Sequence, residues 1–163
     1  MYGTIYKVQR DLTKDFERIR EEDYYDNGFL NHIGDFVDED TDVLDDYEHL
    51  EKEHPEIYKV NIDGTIEDSN DGKEMPLAYL TIDAGKAKKY INEELAKYVN
   101  KVSKDPEFAL TLAGEEMIQG DSFGTYIDID GTYITLHKFL IWVSNFFEGE
   151  VVFRLEGTLD YHY

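Results

Sequence analysis

The chain has 163 residues, with 37 Asp and Glu against 16 Lys and Arg, for a formal net charge of −21. At this length one domain is expected, and a composition of 41% hydrophobic and 14% aromatic residues can build a core, which excludes a chain disordered throughout. Like charge excludes direct binding of a nucleic-acid backbone or an anionic bilayer over most of the surface, and the absence of Cys excludes disulfides, thiolate metal sites and a Cys nucleophile.

In chain order, residues 2–8 alternate around Tyr2, Thr4, Tyr6 and Val8 and predict a strand. Asp11 is placed to cap a helix reaching about Asn27, with Leu12, Phe16, Ile19 and Asp23 on one face and Gly28 at its end. Residues 29–37 are apolar without a clear period. Thr41 predicts the N-cap of a helix over 42–53, whose buried stripe is Val43, Leu44, Tyr47 and Leu50, with Pro55 beyond its end.

Strands are predicted at 57–62, 65–67 and 77–82, joined by Asp63-Gly64 and by the polar turn 69–73. Asp83 or Thr81 opens a helix to Lys104. Ile91, Leu95, Tyr98, Val99 and Val102 fall on its inner face, and Lys86, Lys88, Lys89, Lys97, Lys101 and Lys104 on its outer face. A short helix at 107–118, a hairpin across Asp130-Gly131, a helix at 137–147 and a last strand or hairpin from Glu150 complete the chain. The expected fold is one α+β domain over 1–163, a mainly antiparallel sheet with helices packed on one face and an acidic helical segment at 11–54. The opening residues lack a basic start followed by an apolar run, and the longest apolar stretch, 139–143, is far below the roughly 20 residues that span a bilayer. A cytoplasmic protein that avoids membranes is the expectation.

Asp128-Ile-Asp130-Gly-Thr132 resembles the opening motif of haloacid-dehalogenase-like phosphatases, in which the first Asp is the nucleophile and the second the acid/base. The 33 residues that follow Asp130 hold one Lys, Lys138, and no paired Asp, and the alternation Tyr126-Ile-Asp-Ile departs from a buried parallel strand, so a hairpin turn is the expectation. Asp38–Asp42 mimics the start of a calcium loop but places Val43 and His49 where Gly and a bidentate Glu are required. His49 and His54 are five apart, on different sides of a helix. No cofactor is expected, and an enzyme would need an Asp/His site assembled from distant segments.

Charge placement carries the functional expectation. Residues 21–56 hold fifteen acids and one base, a net of −14, whereas residues 1–20 carry +2. On the 42–53 helix, Asp42/Asp46, Asp45/Glu48 and Glu48/Glu51 are like pairs at helical contact spacing, each costing about 0.2–0.5 kcal/mol. Charge kept at such a cost suggests a cationic partner. The candidate contact set is Asp35, Asp38, Glu39, Asp40, Asp42, Asp45, Asp46, Glu48, Glu51 and Glu53, with Tyr24 and Tyr25 beside them for stacking or hydrogen bonds. In size, acidity and lack of Cys the chain resembles phage and plasmid proteins that blunt restriction or CRISPR nucleases by copying DNA, though no motif carries residues across. The expected function is a non-enzymatic DNA mimic on the basic surface of a nucleic-acid-binding enzyme. The alternatives are an immunity protein against a basic nuclease toxin and a small hydrolase with an Asp/His site.

Overall fold

A computed structural model describes residues 2–25, 36–39, 42–111 and 124–162. Its elements are β1 (Tyr2–Gln9), α1 (Glu22–Tyr25), β2 (Phe36–Glu39), α2 (Val43–Glu53), β3 (Tyr58–Glu67), β4 (Glu74–Asp83), α3 (Ala84–Lys104), β5 (Tyr126–Ile129), β6 (Thr132–Thr135), α4 (Leu136–Phe146) and β7 (Glu150–His162). A single α+β domain results. Among the described residues no helix is long and apolar enough to cross a membrane.

The strands form one seven-stranded sheet in the order β3-β4-β7-β1-β5-β6, with β2 also on β7. Long β7 organises it. Its first half pairs with β4 and its last residues with β2 along one edge, while β1 runs along the other. These pairs, β3–β4 and β5–β6 are antiparallel, and β1–β5 is parallel.

A bulge in β7 decides which side chains face which layer. Tyr6 lies opposite Thr158, but Val8 lies opposite Leu155, so β7 uses one more residue than β1 over this stretch. Gly157, at φ +102°, takes the conformation that a side chain would resist, and a Cβ there would meet Ile19 Cγ2 at 3.0 Å. Because strand side chains alternate, the extra residue switches the parity. Phe153 and Leu155 join one core with Tyr6, Val8, Leu80, Ile82 and Ile127, while Leu159 and Tyr161 join the other with Ile5 and Tyr126.

The larger core lies beneath α2, α3 and α4. Tyr47 and Leu50 from α2, Ala84 and Ala87 from α3, and Phe139, Leu140 and Val143 from α4 pack on the sheet there. Asp83 caps α3 by accepting from the Lys86 N–H, and Thr135 caps α4 by accepting from the Lys138 N–H, which fixes both helix starts at the ends of strands. The smaller core is covered by the 10–25 segment, through Ile19 and Tyr24.

Several expectations need correction. No helix runs from Asp11. The Asp11 carboxylate instead accepts from the Thr13 N–H and hydroxyl, and residues 15–20 are irregular. Their backbone is bonded to the sheet: Ile19 N–H donates to the Glu156 carbonyl (2.7 Å), Ser69 N–H to the Phe16 carbonyl, and the Arg154 guanidinium to the carbonyls of Lys14 and Asp15. Phe16 and Ile19 are buried as expected, but Leu12 and Asp23 are exposed. Asp63-Gly64 is a bulge within one continuous β3, and the hairpin turn is the polar stretch that follows. On α2, Leu44 is 48% exposed, so the expected stripe narrows to Val43, Tyr47 and Leu50. On α3 the expected inner face holds only through Ile91, and Leu95, Tyr98 and Val99 are exposed. β5 is both a hairpin partner of β6 and a buried parallel neighbour of β1, despite its alternating sequence. Gly28 and Thr41 lie outside the described residues, as does the expected 107–118 helix beyond Thr111.

Candidate acidic interface

The acidic segment does not form one strip. It wraps the sheet, with α1 against the smaller core on one face, β2 on the edge of β7, and α2 against the larger core on the opposite face. Clustering in the sequence predicts one surface for the acids of 21–40 and those of α2. The sheet instead divides them into two patches.

The first patch surrounds Tyr25. This exposed phenol donates to Glu21 Oε2 at 3.0 Å, and Glu21, Glu22 and Asp38 together hold its pKa above the ordinary value, with the Glu21 hydrogen bond the largest cause. Asp38 is exposed on β2 opposite Asp160, and Glu39 closes that strand opposite Leu159. Asp35 and Asp40 lie outside the described residues. Tyr24 is a correction. It is fully buried, and its hydroxyl donates to Asp128 Oδ2 at 2.5 Å, so it offers a partner nothing. Its neighbour Tyr25 points the other way because successive residues of a helical turn are about 100° apart.

The second patch is α2. With Tyr47 and Leu50 turned inward, the 3.6-residue period sends Asp42, Asp46 and Glu53 to one flank, Glu48 and Glu51 with Leu44 to the other, and Asp45 outermost. Asp45 and Asp46 lie in the first turn, where the helix N-terminus favours negative charge. Two acids are half-buried. One is Asp46, whose backbone carbonyl accepts from the Tyr6 hydroxyl at 3.0 Å. Glu51 is also half-buried, and its Oε2 accepts from the Val60 N–H on the outer edge of β3 at 3.2 Å. This bond shields an edge strand that would otherwise present a bare amide.

Asp42, Asp45, Glu48 and Glu53 are exposed. Glu48 pairs with Lys52 (3.1 Å), and His49 lies 4.0 Å from Glu53, both contacts within α2. Three of the six α3 lysines pair along their own helix and its cap: Lys86 with Asp83, Lys89 with Glu93 and Lys97 with Glu94. Beside α2, an apolar groove of about 270 Å³ is lined by Leu44, Tyr47, Val60 and Ile62 and rimmed by Glu48 and Glu51.

Sequence reasoning missed a second charged region on the opposite face of the sheet. Arg154 and Glu156, both buried, form a pair with Nη2–Oε1 2.6 Å, and Lys7 lies 3.8 Å from the other Glu156 oxygen. Glu156 and Lys7 border a cavity of about 420 Å³ that also touches Gln9, Lys14, Glu17 and Asp130. The signal was present in Arg154-Leu-Glu156, two charges one strand period apart within an apolar run. Arg154 also donates to the Lys14 and Asp15 carbonyls, so this cluster fastens the 10–20 segment to the sheet.

The phosphatase-like motif is a turn. Asp130 (φ +52°) and Gly131 (φ +77°) make the corner, and Asp128 accepts from the Gly131 N–H and the Tyr24 hydroxyl. No family model, curated protein or solved structure matches the chain.

Proposed function

We propose that this protein is a non-enzymatic acidic inhibitor that occupies the cationic, nucleic-acid-binding surface of another protein, in the manner of a DNA mimic. The supporting observation is where the molecule's own cations go. Lys86, Lys89 and Lys97 are spent along α3 and its cap, and the Arg18 and Arg20 guanidinium groups are spent on Asp68 and Asp71 of the β3–β4 turn. On α2, Glu48 pairs with Lys52, and Glu53 lies beside His49 and accepts from the Thr125 hydroxyl at 3.5 Å, while Asp42, Asp45, Glu48 and Glu53 all stay exposed to solvent. Exposed carboxylates add little to stability, whereas a basic cleft gains long-range steering and counterion release from each.

The contact set contracts accordingly. Asp38, Asp42, Asp45, Glu48, Glu53 and Tyr25 face outward and form the interface, while Tyr24 and Glu51 hold the fold and Asp46 is half-buried beside Tyr6. The test is the fourfold variant Asp42→Asn, Asp45→Asn, Glu48→Gln and Glu53→Gln. It should fold with an unchanged or higher Tm and lose its partner. Wild-type affinity should fall steeply with added salt and in competition with duplex DNA. Binding that survives the fourfold change, or that ignores salt, rejects the reading.

A further inference from the structure

The last three turns of α3 extend beyond the core. Ala84 and Ala87 are buried and Ile91 packs on the larger core, but from Asn92 to Lys104 only Glu94 and Val102 are even half-buried. This half is nevertheless amphipathic. Leu95 (57% exposed), Tyr98 and Val99 (55%), with Val102, form one stripe at i, i+3, i+4 and i+7. A helical stretch this short is marginal in water unless an apolar face is covered.

We propose that this stripe is the interface of a homodimer, two copies of α3 packing antiparallel about a twofold axis near Tyr98 and Val99. The charge pattern selects a second copy as the occupant. Along the exposed half the acids come first, Glu93 and Glu94, and the bases last, Lys97, Lys101 and Lys104. Reversing one helix against the other therefore sets acids over bases at both ends. Glu94 and Lys101 lie on the same flank of the stripe, the flank that meets itself across an antiparallel twofold. Within one copy Glu94 pairs with Lys97 at 2.7 Å and the Lys101 ammonium lies 3.9 Å from the Phe108 ring centroid. In the dimer each copy adds both halves of two reciprocal Glu94–Lys101 attractions to these contacts. The other flank carries Asn92, Ala96 and Ser103, small or uncharged groups that permit close approach. The apolar residues match as well, with Leu95 of one copy facing Val102 of the other, and Tyr98 facing Val99. A parallel arrangement would stack like charges at each end. This face is separate from the acidic patches, and the inference does not rest on the proposed function.

Sedimentation velocity on the full chain, over a wide concentration range, tests it. A concentration-dependent dimer is expected, weakened at least about tenfold by Leu95→Glu or Val99→Glu with the circular dichroism spectrum retained. Because an apolar-to-charged change could also disturb the monomer, the flank supplies a second measurement. Lys101→Glu alone should weaken the dimer, and Glu94→Lys combined with Lys101→Glu should restore it. A monomer at every concentration, a dimer indifferent to Leu95→Glu, or a double swap that fails to restore association would each overturn the proposal. A monomer that Leu95→Glu destabilises would assign the stripe to a contact within one chain and overturn it as well.

Discussion

Tyr24 and Tyr25 are adjacent, chemically identical and opposite in role, and nothing in the pair itself separates them. Only the partner of each does: buried Asp128 for Tyr24 and exposed Glu21 for Tyr25. Removing the Tyr24 hydroxyl leaves a buried carboxylate oxygen without that donor, so Tyr24→Phe should cost about 1–3 kcal/mol in urea unfolding, while Tyr25→Phe should be near neutral. Burial also pushes the phenol pKa of Tyr24, Tyr47 and Tyr58 upward and that of Tyr126 up to about 12. A phenol whose pKa is raised by folding holds its proton in the folded state after the unfolded chain has released it. Its stabilisation is complete below about pH 10 and drains away as pH rises toward the folded value. Tyrosinate absorbance should therefore rise in two phases, exposed phenols first and these four together with cooperative unfolding. A single smooth phase would show that they are not buried. Asp128 was legible in the sequence as part of a hairpin strand, but its burial was not, because the compensating hydroxyl lies 104 positions away.

Local signals were strongest where an element carries its own boundaries. α3 starts at Asp83 and ends at Lys104 as its cap and periodicity require, and the Asp130-Gly131 hairpin sits where its turn chemistry puts it. They failed at residues 11–20, where helical spacing of Leu12, Phe16 and Ile19 was overridden by hydrogen bonds to β7 and to the β3–β4 turn. A periodic apolar pattern cannot reveal that an Arg 140 positions later holds the Lys14 carbonyl. Gly157 is the hinge of this arrangement, so Gly157→Ala should destabilise by more than about 1 kcal/mol, through positive φ and the Ile19 contact, as measured by thermal or urea unfolding. On α2 the candidate acids divide by function. Neutralising Asp42, Asp45, Glu48 and Glu53 should leave Tm unchanged or raised, whereas Glu51→Ala should lower it by removing the acceptor of the Val60 amide.

For the molecule as a whole, the α+β class and the antiparallel bias could be read from composition, hairpin signals and two helical periods. The route of the acidic segment could not. Charge clustering in sequence implied one surface, and the sheet instead carries α1 and α2 on opposite faces with β2 at the edge between them. A partner would meet two anionic patches, one around Tyr25 and one on α2. Their attraction should be long-range and strongly screened, with the Debye length near 8 Å at physiological salt setting how far each acts.

The central claim, that exposed carboxylates of α2 engage a nucleic-acid-binding surface, is tested most directly by capture from the native host with identification of what binds. The wild-type chain and the Asp42→Asn, Asp45→Asn, Glu48→Gln, Glu53→Gln variant should be compared at low salt, at high salt and with duplex DNA as competitor. The account predicts a nucleic-acid-binding protein held by the wild type alone and released by both salt and duplex. Equal capture by the variant, or a partner that duplex DNA does not displace, would contradict it.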